Sequence, residues 1–190
     1  LPDKAEGVPL EHVINPCKYQ LYNDCFFGIY DSGVEPGDGE YYGRLAKKLS
    51  RAVSRAGQYS YIFDTVAKLC CVLELKSEIG IRTRKIYKDK DKKALDDLIN
   101  DYNEMIERTK VFYTAFRKEW FTENKANGFE VQDIRIGGLI TRMKNCRDRL
   151  VDFKNGKINA ISELEEDTFP LINEKASVSR WSDIVTTNVL

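Results

Sequence analysis

The residue types that carry most enzymatic chemistry are sparse in this chain. His12 is the single histidine among 190 residues, which excludes a His-based zinc site and leaves little basis for a Ser-His or Cys-His nucleophile pair. It stands among prolines and reads as linker surface. The five cysteines are odd in number and irregularly spaced, so a disulfide framework is not expected and a reducing cytoplasm fits. Cys70 and Cys71 adjoin within a helical pattern, where side chains point about 100° apart. With no histidine nearby, they are expected to pack in the core. Glu163, Glu165 and Glu166 fall on a helix surface, and Lys88 to Lys93 alternates in sign as a solvated link does. Arg82, Arg84 and Lys85 are expected to be balanced by Glu74 and Glu78. Nucleophile, base and phosphate-loop patterns are absent, so neither a metal nor a cofactor is expected.

One constellation stands apart. Trp120, Glu130, Asp133 and Arg135 bracket Asn124 to Gly138, which reads as a non-helical link longer than most helix connections. An aromatic face there can stack on a pyranose, while two carboxylates and a guanidinium offer directional hydrogen bonds or ion pairs to hydroxyls or a partner loop. The structural reading is that Phe129, Val131, Ile134 and Ile136 alternate to cover the end of a bundle. Gly137-Gly138 then turns the chain into the next helix, and Arg135 ties to Glu130 or Asp133. Both readings stay open at this point.

The elements that position these residues follow from period. Residues 1–39 hold four of the five prolines and the turn-rich Asp31-Ser-Gly-Val-Glu-Pro-Gly-Asp-Gly39, so they read as an irregular linker with apolar anchors at Tyr19, Leu21, Tyr22, Phe26 and Phe27. From about Glu40, Tyr41, Leu45, Leu49 and Val53 recur at helical spacing as far as Gly57. A second helix is expected from about Tyr59 to Lys88, with Gly80 allowing a bend. A third carries Leu95, Leu98, Tyr102, Met105, Phe112, Phe116 and Trp120. A fourth places Leu139, Met143, Cys146, Leu150 and Phe153 on one face and stops at Asn155-Gly156. A short fifth carries Ile158, Ile161 and Leu164. Helix follows helix without strand alternation, so the expected fold is all-α, an antiparallel bundle of about five helices over 40–190.

Lys plus Arg and Asp plus Glu total 30 each, so no long-range field draws nucleic acid or an anionic membrane. No apolar run approaches the ~20 residues that span a bilayer. The first residues lack the basic and apolar regions of a secretory signal, and a cytoplasmic, soluble protein is expected. The start without methionine, leading into an irregular stretch, is read as the cut end of a longer chain.

Two segments are more specific than periodicity. Asn15-Pro-Cys-Lys-Tyr-Gln-Leu-Tyr-Asn-Asp-Cys-Phe-Phe-Gly-Ile-Tyr-Asp31 resembles the stretch that follows the catalytic barrel in one bacterial branch of the family 20 β-N-acetylhexosaminidases. Trp120 through Leu139, with Asn124, Gly128-Phe-Glu-Val131, Asp133, Arg135 and Gly137-Gly138, is similar to a segment of that branch's C-terminal helical domain. Arg149-Leu150, Ile161-Ser-Glu-Leu-Glu165 and the closing Arg180-Trp-Ser-Asp-Ile-Val-Thr-Thr-Asn188 extend the resemblance over nearly the whole chain. The resemblance implies a parent glycosidase that removes terminal N-acetylglucosamine or N-acetylgalactosamine, with the substrate's acetamido oxygen as nucleophile and a consecutive Asp-Glu pair in the barrel. No Asp-Glu pair occurs here, so no catalytic residue is carried over. What the resemblance implies is a non-catalytic domain that packs on its own barrel, which is absent from this sequence. It would support a homodimer and complete the active-site mouth, through Trp120, Glu130, Asp133 and Arg135. The alternative class is a free-standing helical module that recognises a carbohydrate or a protein through Tyr113, Phe116, Trp120, Phe121 and Phe129.

Overall fold

A computed structural model describes residues 16–28 and 31–166, and among these there is no strand. Seven α-helices occur in order: α1 (Pro16–Tyr22), α2 (Asp38–Val53), α3 (Ser60–Lys76), α4 (Ile79–Asp89), α5 (Lys92–Glu123), α6 (Phe129–Lys154) and α7 (Ser162–Glu165). The all-α class is as expected. His12, Asn15 and the Arg180–Asn188 motif lie outside the described residues.

Helix ends follow local chemistry. α2 starts after Gly37, whose φ of 94° suits a residue without Cβ, and carries Asp38 and Glu40 in the first turn, where the helix dipole favours negative charge. The Asp89–Lys93 link is a compact pair of caps. Lys90 is left-handed at φ 52° and closes α4, while the Asp91 carboxylate accepts from the N–H groups of Lys93 and Ala94 at 2.9 and 3.1 Å to open α5. α6 stops at Asn155-Gly156 as its sequence predicts, with Gly156 at φ 71° and its N–H bonded back to Phe153 O.

Two expectations are corrected. The single helix from Tyr59 to Lys88 is two, because the chain breaks at Ser77-Glu78. Glu78 Oε1 accepts from Gly37 N and Gly39 N at 3.0 and 3.2 Å, capping the start of α2 from about 40 residues away in sequence. That contact is invisible to a local pattern. The long non-helical link from Asn124 to Gly138 is the second correction, since α6 already begins at Phe129 and only five residues join it to α5. Gly137 and Gly138 lie inside α6, not at its start.

Cross-helix bonds give the directions. On α3–α4 and α5, Thr83 meets Tyr102, Glu74 meets Arg108 and Tyr61 meets Glu123. One number rises as the other falls, so the pair is antiparallel. The same holds for α5 and α6, where Tyr113 meets Asp133, Asn103 meets Arg147 and Asp96 meets Lys154. α2 lies antiparallel on α3 at close range: a Cβ on Gly39 would sit 2.6 Å from Glu74 O. Leu73, Ile79, Leu98, Tyr102, Met105, Met143 and Leu150 fill the common core, together with Cys70 and Cys146. Cys70 is buried as expected, whereas Cys71 is half-buried at the α2 side.

The N-terminal anchors belong to this core. α1 packs on α3, and Tyr19, Leu21, Tyr22, Cys25 and Phe26 are buried, Phe26 completely. Phe27 is half-buried, its ring beneath the Arg142 guanidinium.

Candidate functional site

The chemically suggestive residues gather in two places. At the α5–α6 end, Phe129 is buried and its ring centre lies 5.2 to 6.0 Å from those of Phe121, Trp120, Phe116 and Tyr113. These tilted arrangements are the ones aromatic quadrupoles favour. The sequence brings the rings together because Tyr113, Phe116, Trp120 and Phe121 share the last turns of α5 while Phe129 opens α6. Gly128, at φ 97°, makes the turn.

The polar members of the expected set serve this turn. Trp120 donates its indole N–H to Lys125 O at 3.0 Å, and Glu130 accepts from Gly128 N at 2.7 Å, which caps α6. Asp133 accepts the Tyr113 hydroxyl at 2.7 Å. Arg135 is half-buried and its charge acts on the Tyr22 hydroxyl. Trp120, Glu130 and Asp133 therefore lie close together, while Arg135 faces the N-terminal segment. No ion pair joins Arg135 to Glu130 or Asp133 among the described residues.

The second place was not anticipated as a unit. Lys76 is 2% exposed, and its ammonium donates to the carbonyl oxygens of Asn23 at 2.5 Å and Gln20 at 3.3 Å. Arg142 spans both oxygens of the buried Asp24 at 2.6 and 3.0 Å and lies over Phe26 and Phe27. Burial alone would raise the Asp24 carboxyl, but Arg142 and the N–H groups of Phe26 and Phe27 outweigh it and hold it below the ordinary carboxylate range. Asp31 takes one bond from the Asn23 amide at 2.7 Å, and its buried Oδ2 has no hydrogen-bond partner among the described residues. Burial pushes that carboxyl up, against the pull of Asn23, Lys76 and Arg84, with Asp24 adding to the rise. Arg84 was expected to be balanced by Glu74 and Glu78. Its guanidinium instead binds the carbonyls of Phe26, Phe27, Glu163 and Glu166. Arg82 pairs with Asp101 at 2.5 Å. A lysine closing the apolar run Cys70-Cys-Val-Leu-Glu-Leu-Lys76 was the available signal.

This second group ties the N-terminal segment to α3, α4 and α6 as a clasp. Asp24, Lys76 and Arg142 are satisfied by backbone and by each other while Asp31 Oδ2 is not, and burial pushes the thiols of Cys25 and Cys146 up, away from the reactive thiolate. Among the described residues no three of His, Cys, Asp and Glu group as a metal site, and no helix is long and apolar enough to cross a membrane.

The outer side of α6 presents a different surface. Glu130, Val131, Ile134, Gly137, Gly138 and Thr141 share an arc of about 120° at 100° per residue. Ile134 is 68% exposed, Val131 is 39% exposed, and a Cβ on either glycine would meet nothing within 4 Å. Apolar side chains beside two helical glycines leave a strip with Glu130 at its N-terminal end.

No curated protein matches the chain. A family model described as Glycoside Hydrolase 20C C-terminal domain matches residues 2–182, which takes in the N-terminal segment, the clasp and the α5–α6 end in one continuous unit. The chain belongs to that family and is a C-terminal domain of a family 20 glycoside hydrolase.

Proposed function

We propose that the chain is the non-catalytic scaffold domain of a β-N-acetylhexosaminidase, and that it docks on a protein surface, its own barrel or a second copy, through the outer side of α6. The observation that carries this is the exposed Ile134 beside Gly137-Gly138. A helix interior loses about 1 kcal/mol for each glycine relative to alanine, and two together at open positions suit a surface that approaches the backbone closely. Trp120, Glu130 and Asp133 hold the strip in place, because their bonds set where α6 starts. Arg135 lies beyond its edge, on the side of Tyr22. Dimerisation and a place at the active-site mouth are the parts the family resemblance contributes to this reading.

The test has two arms. The purified chain is expected to hydrolyse no chromogenic N-acetylglucosaminide, and activity that survives stringent purification overturns the scaffold reading. In the full-length enzyme, Glu130→Gln and Trp120→Ala are expected to lower hydrolysis only in step with melting temperature or assembly. A loss of kcat/KM beyond about tenfold with stability and mass unchanged would instead place these residues against the sugar.

A further inference from the structure

The charges of this neutral chain are not evenly spread. From Tyr41 to Phe63 there are five cations, Arg44, Lys47, Lys48, Arg51 and Arg55, and no Asp or Glu. Within α2, Arg44, Lys47, Lys48 and Arg51 fall with Tyr41 inside an arc of about 120° at 100° per residue. Arg55 continues the line in the following turn, where its N–H bonds to Ala52 O. All five cations are exposed, and the stripe ends on Tyr41 and Tyr59, which are 52% and 54% exposed.

Neighbouring charge does not neutralise it. Arg44 pairs with Glu40 at 3.1 Å, an exposed i,i+4 contact of small worth. Lys47, Lys48, Arg51 and Arg55 make no ion pair among the described residues. On the α3 side, Lys47, Ser50 and Arg51 border a groove of about 290 Å³ whose far wall is Cys71 and Glu74. Glu74 is held by Arg108 at 2.6 Å, and Asp64 farther along α3 by Lys68 at 2.5 Å. Glu74, the carboxylate that lines this groove, is therefore already matched.

We propose that this stripe binds an anionic polysaccharide, one carrying carboxylate or sulfate groups. Arg44 to Arg51 and Lys48 to Arg55 each span about 10 Å at 1.5 Å per residue, so the cations repeat along a line instead of converging on one point. A linear polymer with spaced negative groups meets such a row better than a single phosphate does. Exposed tyrosines at both ends offer faces on which pyranose rings stack. The choice of a glycan among polyanions rests on membership of a glycoside hydrolase family, and the stripe itself does not depend on the α6 reading. The full-length enzyme would then hold an acidic region of a glycan on this domain.

The 190-residue chain titrated calorimetrically with heparin and hyaluronan decasaccharides, neutral dextran and a short duplex DNA decides the matter. Binding to one or both acidic glycans is expected, weakening steadily as salt rises because counterions are released. Lys48→Glu/Arg51→Glu/Arg55→Glu should lose at least about tenfold in affinity, ~1.4 kcal/mol. Lys88→Glu/Lys92→Glu/Lys93→Glu, with the same net charge, should bind as the parent chain does. All six positions are exposed, and an unchanged circular dichroism spectrum verifies the fold. No binding of either acidic glycan overturns the proposal, as does equal binding of dextran, binding of duplex DNA as tight as that of the glycan, or a stripe variant that behaves like its control. Those failures leave the scaffold role untouched, since hydrolysis and assembly of the full-length enzyme test it separately.

Discussion

Asp24 and Arg142 are 118 residues apart in sequence and form a two-pronged bond whose acid side chain is 1% exposed. Removing the base leaves a buried carboxylate with only the Phe26 and Phe27 N–H groups, so Arg142→Met is expected to cost about 2–4 kcal/mol, read by urea unfolding near neutral pH. Arg142→Lys should recover only part of this, since an ammonium cannot span both oxygens. Because Asp24 titrates below its unfolded value, its contribution is complete above the ordinary carboxylate range and is lost as pH falls through the folded value. The gap between parent and Arg142→Met should therefore close in acid. Asp31 works with the opposite sign. Its folded carboxyl keeps the proton to higher pH than the unfolded one, so it adds nothing below the unfolded value and reduces stability as pH rises through the folded value. Asp31→Asn keeps an oxygen to accept from Asn23, and its melting temperature should match the parent's in acid and exceed it toward neutrality. A scan from about pH 4 to pH 8 checks this, and parallel curves contradict the assignment.

At the scale of elements, α2 and α3 meet through Gly39 and Gly43, and the two positions differ in what a methyl group would strike. At Gly39 it meets the Glu74 carbonyl, which is backbone and cannot move without α3. At Gly43 it meets the end of the Glu74 side chain, which can turn although it must give up some of its bond to Arg108. Gly39→Ala is expected to cost about 1–3 kcal/mol and Gly43→Ala less than half of that, measured by denaturant unfolding. The apolar stripes that specify α2, α3, α5 and the second half of α6 were legible in sequence, because each buries one face in the core. The start of α6 was not. Phe129 to Ile136 alternates apolar and polar residues, which imitates an extended segment, and Gly137-Gly138 imitates a boundary. Helix wins there because Phe129 is fixed by four rings of α5, Glu130 caps the N-terminus and Asp133 is tied to Tyr113. The Ser77-Glu78 break and the burial of Lys76 have the same origin: their partners, at Gly37 to Gly39 and at Gln20 to Asn23, are distant in sequence. The chemistry-bearing types at the α5–α6 end could be picked out from sequence, but whether their polar atoms face inward or outward depends on those tertiary contacts.

For the whole molecule, stability and assembly make opposing demands on one pair of residues. Gly137 and Gly138 are exposed inside a 26-residue helix, and nothing lies within 4 Å of where a Cβ would stand. In the isolated chain, alanine at both positions adds no clash and removes backbone freedom from the unfolded state, so Gly137→Ala/Gly138→Ala should gain about 1–2 kcal/mol. If the strip with Ile134 and Val131 meets a closely approaching surface in the full-length enzyme, the same two methyl groups stand where that surface packs. The double variant is then expected to weaken the assembly although its own domain is more stable. Unfolding of the isolated chain and light-scattering mass with melting temperature of the full-length enzyme measure the two effects separately. A gain in both settings means that α6 faces water on this side and removes the support for docking there. A gain in the fragment with a loss in the full-length enzyme identifies the glycines as residues kept for close approach, because intrinsic helix stability alone would favour alanine in both.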